Sequence, residues 1–273
     1  MPLIISPNII LPRAGEVTIP ADTPQILWDN KLTTANIESS VAAATNYPLT
    51  NLANPATNLE WRANAAGALE LRAVGVGLVD AVGIARHNFG STSKTVEVGY
   101  LSGSWVSLAG PVIPANDEPL LFRFAPTSVA KIVVKLSAGT AAARAAVLYV
   151  GTALVMQRSV DINPDYAVPR FARRTEFQAG CSDRGDYLGR IVTSQWLDGI
   201  EHVYKHITPD WYRDELDPFI RAAQKHVPFF YAFQPDEYPF EVGYLWLQDD
   251  PIAMTSPATR RINLTLRMGG ILE

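Results

Sequence analysis

The chain has 273 residues, a formal net charge of −4 and only 18% charged residues. It contains no block of Lys and Arg, which argues against a protein that binds nucleic acid or a membrane surface by neutralising phosphates. Cys181 is the only cysteine, so an intrachain disulfide and a cysteine-based zinc site are excluded. The length suits two domains, and we expect folding in a reducing cytoplasm without cofactor or metal.

Residues 1–24 are predicted to form an extended N-terminal arm. Five prolines oppose a helix, whereas Ile4-Ile5 and Ile9-Ile10-Leu11 are too apolar to be left in water. The prolines and the missing basic region also argue against a signal peptide or a membrane helix. Two interpretations remain open: the arm lies as a strand along its own domain, or it docks on a neighbouring subunit.

Residues 25–156 are predicted to form the first domain, a β-sandwich beginning with a strand at Gln25–Asn30. Its strands are expected near 25–30, 68–74, 79–85, 94–100, 105–108, 120–124, 130–136 and 145–150. Short strands at regular spacing, separated by Gly and Pro, are typical of a sandwich.

Two of these segments carry distinct burial patterns. In Ala68–Val74, residues Leu69, Leu71 and Ala73 fall on one face, which predicts a half-buried strand. Val79–Ile84 is almost wholly apolar, which fits a strand buried on both faces.

Four short motifs occur along the first domain: Asn51-Leu52, Trp61-Arg62, Val79–Ile84 followed by Arg86-His87-Asn88, and Val96–Tyr100 with Trp105. With these residues the domain resembles the galactose-binding-like (discoidin or F5/8 type C) β-sandwich, and in particular its form in bacteriophage tail proteins. The resemblance spans about 27–156.

This resemblance implies that loops at one end of the sandwich hold ligands. The candidate ligand-binding residues are Trp61, Arg62, His87, Asn88 and Trp105. An exposed Trp would stack on a sugar, while Arg, His and Asn would bond its hydroxyls. The alternative is that both tryptophans are core anchors, since large aromatic rings more often pack than bind.

Residues 157–273 are predicted to form an α+β module. Strands are expected near 177–181, 188–192, 229–233, 241–247 and 261–268, the last ending at Gly269-Gly270. One helix should begin after Thr208 and stop before Pro228, with Pro218 kinking or splitting it. This element order resembles the fold of phage distal tail and baseplate ring proteins. Interleaved Arg and acidic residues over 158–190 indicate a solvated or intersubunit salt-bridged face rather than a nucleic-acid groove.

Metal and catalytic sites have little support in the sequence. His202 and His206 have the spacing of a metal pair on a helix, but Glu201 does not lie between them and no third ligand follows. The acidic residues that raise the question of a glycosidase are Asp236, Glu237, Glu241, Asp249 and Asp250. Their adjacency does not suit two carboxyls facing each other across a sugar.

The sequence therefore predicts a non-enzymatic structural component of a phage or prophage tail tip or baseplate, located in the virion. It would assemble as, or around, a symmetric ring, as a hexamer or trimer, beside tube, hub, tape-measure or fibre proteins. The alternative is a carbohydrate-binding module for a host-surface glycan.

Overall fold

The computed structural model describes residues 3–5, 23–161, 165–181, 183–235, 237–239 and 241–271. The strands are β1 (Leu3–Ile5), β2 (Gln25–Leu27), β3 (Ile37–Ser39), β4 (Trp61–Arg62), β5 (Leu69–His87), β6 (Val96–Ser102), β7 (Ser104–Val112), β8 (Leu120–Leu136), β9 (Arg144–Gly151), β10 (Leu154–Val155), β11 (Arg173–Cys181), β12 (Tyr187–Ile207), β13 (Phe229–Ala232), β14 (Val242–Leu247), β15 (Ile252–Thr255) and β16 (Ile262–Ile271). The helices are α1 (Pro209–Trp211) and α2 (Asp217–Ala223), joined by a π-helical turn at Tyr212–Leu216, besides a 3-10 turn at Leu49–Ala53. No helix in these ranges is long and apolar enough to cross a membrane.

The predicted mainly β fold is confirmed, and the strands form two eight-stranded, mostly antiparallel sheets. The first sheet has the order β4-β9-β5-β8-β6-β7, with β1 beside β8 and β3 beside β5. Its inward residues, among them Trp61, Phe89, Phe122 and Leu148, share one apolar core. This sheet is the part of the chain predicted as a sandwich.

The segments 68–74 and 79–85, predicted as two strands, are one continuous strand, β5. Gly75 and Gly77 have φ of 71° and 65°, and the register against β8 shifts between Val74 and Gly77. Glycine tolerates this left-handed geometry, so the chain bends there without leaving the ladder. The segments 120–124 and 130–136 likewise belong to one strand, β8.

Both burial predictions for β5 are confirmed. Leu69, Leu71 and Ala73 are buried while Glu70 and Arg72 are half-buried on the other face. From Val79 to Ala85 every side chain is buried. Here one face of the strand joins the first core, and the other packs against the second sheet.

The second sheet has the order β10-β2-β13-β14-β16-β12-β11, with β15 paired to β16. It contains β2, which pairs with β13 through Ile26 and Tyr231. The prediction that a strand beginning at Gln25 opens the sandwich is therefore wrong, because this strand supplies hydrogen bonds to a partner 200 residues away that no local pattern reveals. The division of the chain near residue 156 remains a prediction.

The two sheets meet in a third apolar core. Its buried members are Leu27, Ala81, Ala85, Leu121, Ala146, Val147, Tyr149, Phe230, Ala232, Val242 and Tyr244. A buried ion pair lies in the same interface: Arg123 Nη1 donates to Asp80 Oδ1 at 2.5 Å, and Arg123 Nε donates to Gln25 Oε1 at 2.7 Å. The interface between the sheets thus combines small alanines, aromatic rings and one buried ion pair.

The helical segment covers the opposite face of the second sheet. Phe229 and Tyr231 of β13 contact the core that contains Phe219 and Ile220 of α2, whereas Phe230 faces the first sheet. The helical segment is divided into α1 and α2 by the π-helical turn, which ends directly before α2, and Pro218 lies in the first turn of α2. The missing N–H of proline is tolerated there.

Three further expectations for the second sheet need correction. β16 continues through Gly269 and Gly270, since a Cβ at Gly270 would lie 2.5 Å from the carbonyl oxygen of Tyr244, so these glycines allow close packing rather than ending the strand. β15 was not predicted. His202 and His206 lie on a strand, β12, and not on a helix.

Part of the N-terminal arm lies within the described residues. Leu3–Ile5 pair in parallel with Leu121–Arg123 of β8 in the same chain. This pairing supports the interpretation that the arm lies along its own domain. Residues 1–2 and 6–22 of the arm lie outside the described residues.

Candidate functional site

Four of the five predicted ligand residues meet around the start of β9. Trp61 and His87 are both paired with Ala145, from opposite sides, and Arg62 is paired with Arg144. Sequence reasoning therefore brought together residues that the fold also brings together. Trp105, on β7, does not belong to this group.

Trp61 is 0% exposed and belongs to the first core. Its predicted role as an exposed stacking ring is therefore wrong, and the alternative of a core anchor is confirmed for this residue. Side chains alternate along a strand, so on β4 the side chain of Trp61 points inward and that of Arg62 points outward.

His87 is buried and stacks on Phe89, with ring centroids 4.7 Å apart and an interplanar angle of 13°. Its Nδ1 accepts a hydrogen bond from the backbone N–H of Phe89 at 3.2 Å, so the neutral ring carries its proton on Nε2. Burial lowers the pKa of His87 to about 4. The charge of Asp117 and the backbone of Glu118 act in the other direction and raise this pKa, but by less. The ring is neutral near pH 7.

Asn88 is buried and fixes the start of β9. Its Nδ2 donates to the carbonyl of Ala142 at 2.9 Å, and its Oδ1 accepts from the backbone N–H of Arg144 at 2.9 Å. The side-chain amide thereby holds the loop that presents Arg144. Asn88 acts as a positioning residue for the surface above it.

That surface carries four partly exposed side chains. The guanidinium of Arg62 lies 4.2 Å from the ring centroid of Tyr47, and its Nη2 donates to Glu60 Oε1 at 2.5 Å. The second carboxylate oxygen of Glu60 lies 3.9 Å from Nη1 of Arg144. We call Tyr47, Glu60, Arg62 and Arg144 the β4–β9 cluster.

The ion pairs of this cluster leave polar groups accessible. The side chains of Arg62, Glu60 and Arg144 are 38%, 22% and 49% exposed. The hydrogen bond to Glu60 raises the pKa of Arg62, so its guanidinium stays charged. The cluster therefore offers one aromatic ring, two planar cations and one carboxylate.

Three buried polar atoms of predicted site residues have no hydrogen-bond partner: Trp61 Nε1, Arg62 Nε and His87 Nε2. In the described part of the chain a fourth such atom is Asn116 Oδ1. Such atoms are rare in folded proteins and call for an explanation.

Trp105 is half-buried on the outward face of β6 and β7. Its Nε1 donates to Glu97 Oε1 at 2.9 Å, and Lys135 Nζ lies 3.5 Å from its ring centroid. The ring packs over Gly99, where a Cβ would lie 2.7 Å from its Cζ2 atom. The indole of Trp105 is thus engaged by its neighbours in the sheet, Glu97, Lys135 and Gly99.

Sequence reasoning missed Tyr47, Glu60 and Arg144. Glu60 could have been found from its position directly before Trp61, and Tyr47 from the turn before Pro48. Arg144 carries no sequence signal, because only the pairing of β4 with β9 brings it to Arg62.

The residues rejected as metal or catalytic candidates are widely distributed. No group of three or more His, Cys, Asp or Glu side chains within the described ranges could hold a metal. His202 is buried in the second core, whereas His206 is exposed. Asp249 lies 3.6 Å from Arg267, and burial raises the pKa of Glu241. Asp236 lies outside the described residues.

Several solved structures share a distant likeness with this chain. A chitosan-binding module of a chitosanase/glucanase from Paenibacillus sp. IK-5 is 11% identical over 45% of this chain and 98% of its own, with a TM-score of 0.39. A pectin-binding carbohydrate-binding module is 11% identical over 45% and 91%, with a TM-score of 0.38. A putative alpha-L-fucosidase from Bacteroides thetaiotaomicron is 13% identical over 45% and 28%, with a TM-score of 0.37.

No protein-family model and no curated protein matches the chain.

Proposed function

We propose that the protein is a carbohydrate-binding, non-enzymatic module whose binding surface is the β4–β9 cluster. The observation that carries this proposal is the pairing of Arg62 with Arg144 directly across the ladder, with Glu60 bonded to Arg62 and close to Arg144. Like charges placed opposite each other destabilise a sheet, and Glu60 offsets this repulsion only in part, because one carboxylate faces two guanidinium groups.

The chemistry of the cluster suits sugar hydroxyls. A guanidinium presents several donors in one plane, and a carboxylate presents acceptors, so together they can bind neighbouring hydroxyls that each donate and accept. An aromatic ring such as Tyr47 adds an apolar surface with a polar tip. The buried Asn88 and Trp61 hold these groups on a rigid strand pair.

The test is glycan-array screening of the full chain, followed by calorimetric titration of the best glycan. The full chain is needed because β2 and the third core join the two sheets. We expect Arg62→Ala and Arg144→Ala each to lower the affinity at least about tenfold, equivalent to about 1.4 kcal/mol.

Arg72→Ala is the matched control, since Arg72 also pairs with a Glu two residues before it, at 2.7 Å, in the same sheet. Its affinity should equal that of the wild type. The proposal is wrong if the folded protein binds no glycan, or if both cluster variants bind as tightly as the control.

We also propose a second role, as the structural component of a phage tail tip that the sequence predicted. Self-association, which such a component requires, is supported by the two-stranded ribbon in which Phe177–Cys181 pair with Tyr187–Val192, beyond the point where β12 pairs with β16. Phe177 and Tyr187 on this ribbon are 49% and 68% exposed. A two-stranded ribbon is marginally stable alone, and exposed aromatics are typical of interfaces.

Light scattering tests this role. We expect the purified chain to form a discrete oligomer that Phe177→Ser with Tyr187→Ser dissociates. Leu101→Ser, which removes a 58% exposed apolar side chain from a different hairpin, is the control and should leave the mass unchanged. A wild-type monomer at all concentrations, or an oligomer indifferent to the ribbon variant, would contradict self-assembly through the ribbon.

A further inference from the structure

A polar cleft of about 310 Å³ opens beside the end of β12, apart from the β4–β9 cluster. Its lining residues are Thr23, Gln157, Arg158, Ser159, Asp161, Lys205 and His206. They come from three segments: the chain before β2, the loop after β10, and the end of β12. The volume is at the low end of small-molecule sites, about 300–1,000 Å³, and suits a small ligand.

A β-bulge places Lys205 and His206 at this cleft. The register of β12 against β16 shifts between Tyr204 and Ile207, where β12 has one extra residue. His206 takes a positive φ of 63°, and its backbone N–H donates to Asn263 Oδ1 at 3.2 Å. Bulges of this kind change the direction of side chains and recur next to binding sites.

The loop on the other side of the cleft is fixed by hydrogen bonds. Gln157 Nε2 donates to Thr208 Oγ1 at 2.9 Å, and Gln157 Oε1 accepts from the backbone N–H of Thr208 at 2.8 Å. The N–H of Asp161 donates to the carbonyl of Val203 at 2.7 Å. Both walls are therefore held before any ligand arrives, which lowers the entropy lost on binding.

The charges of the cleft favour an anion. Lys205 Nζ lies 3.1 Å from the carboxylate of Asp161, so this pair is largely neutral. Arg158 has no carboxylate within ion-pair distance among the described residues, and its side chain is exposed. Its guanidinium is accompanied by the hydroxyl of Ser159 and the imidazole of His206, both of which can donate.

We propose that this cleft binds a small oxyanion, a phosphate or carboxylate group, with Arg158 as the principal contact and Ser159 and His206 as further donors. A guanidinium matches both groups because it donates two parallel hydrogen bonds to two oxygens. Because Asp161 forms an ion pair with Lys205, Arg158 is the dominant positive charge of the cleft. This site is independent of the proposed glycan surface.

Calorimetric titration of the full chain with inorganic phosphate and, separately, with malonate tests the proposal, at constant ionic strength set with chloride. We expect saturable binding of at least one anion, and the comparison of the two identifies the preferred group. Arg158→Ala should weaken the binding at least tenfold, and Arg158→Lys should weaken it less, because charge remains while the two-pronged geometry is lost.

Arg260→Ala is the control, since Arg260 is an exposed arginine outside the cleft. Its anion affinity should equal that of the wild type. If neither anion binds saturably at millimolar concentration, or if Arg158→Ala binds as tightly as Arg260→Ala, the cleft is not an oxyanion site. Thermal unfolding of each variant verifies that it is folded.

Discussion

The ring of Phe230, from the second sheet, lies directly over Gly83 of the first. A Cβ added at Gly83 would lie 2.5 Å from Cδ2 and 2.6 Å from Cε2 of that ring. Phe230 cannot easily move, because it is fully buried and contacts the rings of Tyr149 and Tyr244. Glycine at this one position lets the two sheets approach.

Gly83→Ala should therefore destabilise the protein by about 1–3 kcal/mol through overpacking. The double variant Gly83→Ala/Phe230→Leu should lose less than the sum of the two single variants, because the smaller side chain makes room. Urea unfolding measures both. Gly67→Ala is the control, since a Cβ there meets nothing within 4 Å; equal losses at 67 and 83 would refute the packing argument.

Removing one partner of the buried pair Asp80–Arg123 should be costly. Both side chains are 8% exposed, and Asp80→Ala leaves the guanidinium without its carboxylate. We expect a loss of about 3–5 kcal/mol in the free energy of unfolding, and partial recovery in Asp80→Ala/Arg123→Met. Arg72→Ala, which breaks the more accessible, half-buried pair with Glu70, should cost less than about 1 kcal/mol. If Asp80→Ala and Arg72→Ala lowered the free energy of unfolding by similar amounts, burial would not explain the effect.

A directed hydrogen-bond chain in the second core predicts unequal effects of two similar variants. His202 Nε2 must donate to the carbonyl of Ala167, so its Nδ1 accepts from Tyr231, whose oxygen in turn accepts from Tyr204. Tyr231→Phe leaves the histidine nitrogen unsatisfied and should cost about 1–3 kcal/mol. Tyr204→Phe removes only the terminal donor and should cost less, as measured by urea unfolding. The reverse order would contradict this direction of donation.

Stability should fall as the pH is lowered from about 6.5 to about 4. Burial lowers the pKa of both His87 and His202 to about 4, so below the ordinary histidine pKa of about 6.5 the unfolded chain binds protons that the folded chain does not. Each histidine accounts for a loss of up to about 3 kcal/mol by pH 4. Unfolding free energies measured between pH 7 and pH 4 test the slope.

One variant separates His87 from other titrating groups. His87→Phe should reduce the loss of unfolding free energy between pH 7 and pH 4 by up to about 3 kcal/mol, the contribution of one histidine. A profile that His87→Phe does not alter would show that His87 is not responsible.

Local patterns in the sequence predicted the elements well but not their partners. The alternation of Leu69, Leu71 and Ala73 predicted the burial of β5, and Thr208 predicted where the helical segment begins. The pairing of β2 with β13 could not be predicted, because each segment is apolar and short and their register depends on the folded interface. The sequence predicted two strands, over 68–74 and 79–85, yet one long strand covers both and bends at Gly75 and Gly77.

The candidate site was predicted in location more than in detail. Trp61, His87 and Asn88 lie where the sequence placed a site, but they are buried supports. The exposed chemistry belongs to Tyr47, Glu60 and Arg144, which only the pairing of β4 with β9 brings to Arg62.

The pairing of β2 with β13 has a consequence for synthesis. The ribosome completes the strands of the first sheet long before Phe229–Ala232 emerge. Until then, the outward face carrying Ala81, Leu121, Val147 and Tyr149 has no cover, and the strand at Gln25–Leu27 has no partner on its β13 side. The nascent chain therefore exposes an apolar sheet surface during translation. We expect chaperones to bind this face, and aggregation to begin there if elongation stalls.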